Sequence, residues 1–230
     1  MTFYQYKDGY RYNSDTVFLY NFISGFKLKG RVLDVGSGCG VLGLLLKRDF
    51  PSILLYQIDV QKRNIEIAQK NSDVNSCKTY LCHGDFLTYD FEERFDFIVS
   101  NPPFYNSGAL KSEDESLYLS RHCDALPFFD FAKKVYKLLK PRGSFMFCYD
   151  AKQIDLVIPV LLESKFKINE IQFVHPKKVK EATLVLIHAK RESKSLNRVL
   201  PPVILFNSDN EYMDEVKKIF KKADTNSVDY

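Results

Sequence analysis

No uninterrupted apolar stretch in these 230 residues is long enough to span a membrane, and no charged-then-apolar leader opens the chain. Paired CxxC spacing is missing as well. The five cysteines, Cys39, Cys77, Cys82, Cys123 and Cys148, are scattered singly, and their odd number leaves at least one without a mate. A disulfide framework is therefore disfavoured. Free thiols in a reducing cytoplasm are expected instead. Cys82-His83 has no second ligand pair to complete a site, so no metal is expected. Internal repeats and low-complexity tracts are also absent. What remains is the composition of a soluble globular protein, 45% apolar and 27% charged. A chain of this length is expected to form one domain and to bury about 70% of its unfolded surface.

The net charge of +4 is mild but unevenly placed. Between His175 and Arg198 lie Lys177, Lys178, Lys180, Lys190, Arg191, Lys194 and Arg198, against only Glu181 and Glu192. That segment carries +5 and leaves the rest of the chain near −1. Such a patch suits phosphate contacts, and a solvated lysine-rich face explains it equally well.

Strand and helix patterns alternate along the chain. Ser14-Asp15 ahead of Val17-Phe18-Leu19 and Phe22-Ile23 reads as a helix N-cap followed by an amphipathic helix. Arg31 to Val35 is a first buried strand, followed by Gly36-Ser37-Gly38-Cys39-Gly40 and leucines at helical spacing. Strand, glycine turn and helix in that order bring backbone close to a ligand at a helix N-terminus. Ser52 to Ile58 is a second strand ending in Asp59, which is placed to bind ribose hydroxyls. Gly38, Gly40 and Gly43 with Asp59 satisfy a dinucleotide fingerprint, but Asp34 just before them would repel a pyrophosphate. An ammonium would be welcomed there, which favours S-adenosylmethionine over a nicotinamide cofactor. A helix over 60–71 and a strand over 79–83 follow. Asp85 could accept from an adenine amine, with Phe86 or Val60 against the ring, although Gly84-Asp85 is also a common turn.

Phe95 to Val99 reads as a fourth strand, and Ser100-Asn101-Pro102-Pro103-Phe104 ends it. Two prolines cannot continue a ladder, and each fixes its own φ. Asn101, preceding a proline, is itself pushed towards extended geometry. The stiff turn offers one amide, proline carbonyls and an aromatic ring. Asn101 Oδ1 and the Pro102 carbonyl can accept both N–H bonds of an exocyclic amine while Phe104 stacks on the attached ring. Two acceptors free the nitrogen lone pair for attack on a methyl group. Residues 105 to 124 are polar and acidic, as in a lid, and end near Arg121-His122, where His122 could serve as a base. A helix over 128–139, a strand over 144–149, a helix over 153–164 and two last strands joined by His175-Pro176-Lys177-Lys178 complete an α/β pattern. A strand-like Val203-Ile204-Leu205-Phe206 and a helix around Tyr212 to Lys222 lie in the tail.

Together the motifs Asp34-Val35-Gly36-Ser37-Gly38-Cys39-Gly40, Asp59, Gly84-Asp85 and Asn101-Pro102-Pro103-Phe104 resemble Rossmann-type methyltransferases that act on amino groups. Over residues 5 to 220 the chain is similar to the bacterial tRNA (adenine-N(6))-methyltransferases that modify valine tRNA beside its anticodon. Ser14-Asp15, Arg121-His122, Pro141-Arg142-Gly143 and the His175-Pro176 hairpin carry that closer likeness. The resemblance implies a class I methyltransferase fold: a seven-stranded, mostly parallel sheet with an antiparallel edge hairpin and helices on both faces. It divides the chain into an N-terminal helical segment at 1–30, a core at 31–190 and an extension at 191–230. By the same resemblance, S-adenosylmethionine is held by Ser14, Asp15, Asp34, Gly36, Ser37, Gly38, Gly40, Asp59, Val60, Asp85, Phe86 and Asn101. Asn101, Pro102, Pro103 and Phe104 hold the target base. Arg121, Lys177, Lys178 and Lys180 are the expected RNA contacts, on a monomer with tRNA as partner. Rival readings are a protein glutamine methyltransferase, a ribosomal RNA guanine methyltransferase, a DNA adenine methyltransferase, an NAD-dependent oxidoreductase and a non-catalytic RNA-binding module.

Overall fold

The computed structural model describes residues 1–8, 11–102 and 127–230. The chain opens with β1 (Thr2–Gln5) and α1 (Ser14–Ile23), then alternates through β2 (Arg31–Val35), α2 (Val41–Asp49), β3 (Leu54–Asp59), α3 (Lys62–Val74), β4 (Tyr80–His83) and β5 (Phe95–Ser100). Beyond residue 126 come α4 (Phe128–Leu138), β6 (Leu139–Asp150), α5 (Ile154–Glu163), β7 (Phe166–Lys177) and β8 (Leu184–Arg191). The tail holds β9 (Arg198–Val199), β10 (Val203–Phe206), α6 (Asp214–Ala223) and β11 (Asn226–Asp229).

The main sheet runs β10-β7-β8-β6-β5-β2-β3-β4, with β9 added beside β7. Strands β2 to β6 pair in parallel, and β8 alone is reversed against both of its neighbours. Strands covered on both faces must be apolar almost continuously. Val32, Leu33 and Val35, Phe145 to Cys148 and Leu184 to Ile187 are all buried, as that requires. The covering helix α4 buries Phe131, Ala132, Val135 and Leu138 at helical spacing. It stops where Pro141 pushes the residue before it out of the α region.

The seven expected strands are joined by two more from the tail. The reversed strand is interior rather than at the edge, because β10 pairs in parallel with β7 and covers the hairpin. Helix α1 is capped one residue earlier than the sequence suggested: Asn13 Oδ1 accepts from Asp15 N at 3.1 Å, leaving Ser14 and Asp15 in the first turn. Nor is α1 amphipathic. Seven of its ten residues are buried, since α2, α6, β6 and β8 surround it. The 1–30 segment also contains a strand, β1, which pairs in parallel with β11 at the other end of the chain.

Strand direction divides the basic segment. β7 ends at Lys177 on the side where β2, β3 and β5 end, so Lys177, Lys178 and Lys180 lie at the carboxyl end of the sheet. β8 runs back, carrying Lys190 and Arg191 to the amino end. Arg198 pairs with Glu170 at 2.8 Å. A contiguous run of sequence charge thus becomes two separate surfaces.

Candidate active site

The glycine turn after β2 is built on bonds to β3. Gly36 N and Ser37 N donate to Ile58 O at 2.9 and 3.1 Å, and Gly38 N donates to Asp59 Oδ2 at 2.8 Å. Gly36, Gly38 and Gly40 take φ of +68°, +54° and +85°, a left-handed sequence that side chains with a Cβ resist. Asp59 Oδ1 accepts from Gln61 N at 2.8 Å and Asn64 Nδ2 at 3.0 Å. Burial raises the Asp59 pKa, opposed by those same hydrogen bonds. The carboxylate therefore braces the turn as well as standing at the strand end, with about one of its roughly four lone-pair sites left for a ligand.

Asp34 is buried on β2. Its Oδ2 accepts from Gly43 N at 3.0 Å and Gln57 Nε2 at 3.4 Å. Burial pushes its pKa up to about 7, against the pull of the Gln57 and Gly43 hydrogen bonds. Gly43 is required by this approach, because a Cβ there would lie 2.7 Å from Gln57 Nε2 and 3.0 Å from Asp34 Oδ2. The last glycine of the fingerprint thus lets a helix close on a buried acid.

At the end of β5, Ser100 Oγ donates to Val35 O at 2.8 Å and ties the strand end to β2. The amide of Asn101 is held from two elements. Its Nδ2 donates to Thr16 Oγ1 on α1 at 3.1 Å, and its Oδ1 accepts from Cys148 Sγ on β6 at 3.0 Å. Burial raises the Cys148 thiol well above its ordinary value, with the Asp15 charge adding to the effect, so the thiol stays protonated and donates. A carbonyl oxygen carries two lone pairs and can accept from more than one donor. Pro102 is buried behind it.

Tyr12, Thr16, Asp34, Gly36, Ser37 and Asn101 line one recess at this end of the sheet. Ser37 Oγ is buried there with no hydrogen-bond partner among the described residues. Ser14 and Asp15, in the first turn behind the Asn13 cap, are not in its lining, whereas Tyr12 and Thr16 on either side are. Asp85 Oδ1 accepts from Leu87 N at 2.9 Å, closing an Asx turn. Phe86 is turned into the core against Phe131, ring centroids 5.3 Å apart, which takes it out of the adenine-stacking place expected for it. Val60, half exposed at the end of β3, keeps that place open. Pro103, Phe104, Arg121, His122 and the suggested lid lie outside the described residues. Among the described residues no group of three metal-ligating side chains occurs, and none of their helices is long and apolar enough to cross a membrane.

Thr16 and Cys148 were not singled out by the sequence. Cys148 reaches Asn101 through the register Ser100↔Phe147, which no local pattern encodes. Thr16 reaches it through the packing of α1 across the sheet.

The chain has known counterparts. Residues 13–117 match the family of the methyltransferase small domain. In fold, the chain matches a structure from Agrobacterium tumefaciens described as a predicted O-methyltransferase, over 94% of this chain and 100% of that one, with TM-score 0.70 and 14% identity. The fold is that of a class I methyltransferase. A T. thermophilus 16S rRNA N2 G1207 methyltransferase, solved with AdoMet and guanosine, shares it at TM-score 0.56 and 22% identity, over 79% of this chain and 44% of that one. Among curated relatives, the tRNA1(Val) (adenine(37)-N6)-methyltransferase of Vibrio campbellii is 24% identical over 196 residues, covering 84% of this chain and 80% of its own. The protein of the same description from Pedobacter heparinus is 30% identical over 151 residues, covering 64% and 63%. The methyltransferase likeness read from the motifs is thus matched along most of the chain.

Proposed function

We propose that this protein transfers a methyl group from S-adenosylmethionine to the exocyclic amine of an adenine in tRNA, at the position beside the anticodon named for its relatives. The observation that carries the reading is the Asn101 amide, pinned by Thr16 and Cys148 in the recess that also holds Asp34.

The residues present fit the donor. Asp34 would hold its ammonium, and the unpartnered Ser37 Oγ beside Gly36 offers a polar contact at the open turn. Asp59 would take the ribose hydroxyls, and Asp85 with Val60 the adenine. When bound, S-adenosylmethionine supplies an electrophilic methyl group. Asn101 Oδ1 and the Pro102 carbonyl accept the two N–H bonds of the target amine, drawing its nitrogen towards tetrahedral geometry and localising the lone pair that attacks. The positive charge that develops on that nitrogen is stabilised by the same two oxygens until a proton leaves. Phe104 is assigned the stacking face for the base. The base must leave its stack, which costs a few kcal/mol and less in a loop than in a duplex. Lys177, Lys178 and Lys180, at the same end of the sheet, grip the phosphates around it. The protein works as a cytoplasmic monomer on this reading.

Incubating purified protein with radiolabelled S-adenosylmethionine and tRNA from a strain lacking the gene tests the assignment. Label recovered as N(6)-methyladenosine is expected. Label entering ribosomal RNA or a protein, with none in tRNA, would overturn it.

A further inference from the structure

A second cluster of cationic side chains lies away from the recess. Lys27, Lys29, Lys140, Arg142 and Lys190 line one concavity of about 380 Å³, with Asp96 its one carboxylate among the described residues. Arg94, Lys137 and Arg191 line an adjoining one of about 510 Å³, which has no acidic residue in its wall and shares Lys140 and Pro141 with the first. Eight cations therefore face one acid in a chain whose whole net charge is +4. Asp96 already accepts from Lys140 at 2.7 Å and from Arg31 N at 2.8 Å. Arg191 is held by Leu139 O and by Glu192. Lys27, Lys29, Arg142 and Lys190 make no ion pair among the described residues.

Topology fixes where this surface is. Lys27 and Lys29 precede β2, Arg94 precedes β5, Lys140 and Arg142 precede the stretch of β6 that pairs onward from Ser144, and Lys190 lies opposite Ser144 near the end of the reversed β8. All are at the amino end of the sheet. The recess with Asn101 is at the other end, about 20 Å away across a six-residue strand.

We propose that this amino-end surface is a second RNA contact, which binds the phosphate backbone of the tRNA body outside the loop that presents the target base. The proposal rests on the tRNA reading above and adds a location to it. Two adjoining basic concavities suit a chain of phosphates better than a single free one. Five of the eight cations are lysines, point charges without the planar fork that reads base edges, and Arg191 is already held by Leu139 O and Glu192, so the contact is chiefly to backbone. Of the rings in these walls, Phe26 is packed edge-on against His188 at 4.6 Å, and Tyr136 is edge-on to Phe166 with Arg191 over its face. A substrate that touches both ends must be longer than a loop.

The test compares full-length tRNA with its isolated anticodon stem-loop, using the triple variant Lys27→Glu, Lys29→Glu, Lys190→Glu. These side chains stand outside the catalytic recess and outside the ion pairs above. Expected are a KM for full-length tRNA raised at least tenfold at physiological salt, an unchanged kcat, and a log–log salt dependence flattened by about 2 to 3. The stem-loop should be methylated as by the wild type. Unchanged KM for full-length tRNA would overturn the proposal, and so would an equal loss on both substrates. Calorimetry with inorganic phosphate separates the sources: phosphate binding lost with tRNA kinetics intact would assign the pocket to a free anion and reject the RNA contact. If the wild type itself methylates no tRNA, the functional reading fails, which is distinct from an active wild type with an indifferent variant.

Discussion

Asp34 carries the pH dependence of this site. Burial raises its pKa in the folded protein to about 7, well above the ordinary carboxylate range. A raised folded pKa means that the acid form contributes stability fully present below the unfolded value, and that this contribution is lost as pH rises through about 7. The Asp34 contribution should therefore fall between about pH 4 and 7 while buried His188, held down to about 4, adds stability from about pH 4 to 6.5, so Asp34→Asn should make the ligand-free protein gain stability with pH relative to wild type in denaturant titrations. Donor binding moves the other way. An ammonium brought to the carboxyl favours the ionised form, so binding should release a proton and tighten from pH 6 to pH 8. Calorimetry in buffers of different ionisation enthalpy reads the proton directly. A proton count of zero across that range would mean that Asp34 does not meet the ammonium. The Asp59 carboxylate also holds Gly38 N, so its removal loosens the glycine turn together with the ribose contact proposed for it.

At the scale of elements, the site is where α1, β5 and β6 meet. Cys148→Ala removes the donor that orients Asn101 Oδ1, and kcat should fall about tenfold, the worth of one neutral hydrogen bond. Cys148→Ser, which keeps a donor, should recover most of it, with KM for the donor unmoved in both. Equal defects in the two variants would reduce Cys148 to core packing.

This contact also shows which parts of the molecule the sequence disclosed. Strand-end motifs were legible because each is a local device: left-handed glycines at 36, 38 and 40, an acid at 34 and the strand end at Ser100 before Asn101-Pro102 announce themselves within a few residues. The alternation of apolar strands and helices likewise announced the α/β sheet. Contacts made by register or across the sheet were not legible. Cys148 beside Asn101, Thr16 beneath it and β10 over the β7–β8 hairpin depend on which strands are neighbours, and periodicity does not encode that. Phe86 shows the same limit. A phenylalanine beside a turn reads equally as ligand platform or core, and here its ring neighbours Phe91 and Phe131 decided for the core.

Over the whole molecule, charge is sorted by strand direction. The hairpin lysines stay with the recess, while Lys190 is carried to the far end. Lys177→Glu with Lys178→Glu should therefore weaken methylation of both full-length tRNA and the stem-loop, raising KM several-fold at low salt and less at high salt, as expected for screened phosphate contacts. Steady-state kinetics across a salt series checks this, and identical curves for variant and wild type would make the hairpin a solvated edge. β1 and β11 join the two ends of the chain on the flank of α3, where Asn71 and Asn75 bond the β1 backbone.

The central claim is that Asn101 performs the transfer rather than merely shaping the turn. Its most direct test is nucleoside mass spectrometry of tRNA treated in parallel with wild-type protein and Asn101→Ala, alongside donor affinity for each. The account predicts N(6)-methyladenosine from the wild type, at least a 100-fold lower rate from the variant, and donor binding within a few-fold of normal. Full turnover by Asn101→Ala, or methyl found on a base other than adenine, would contradict it.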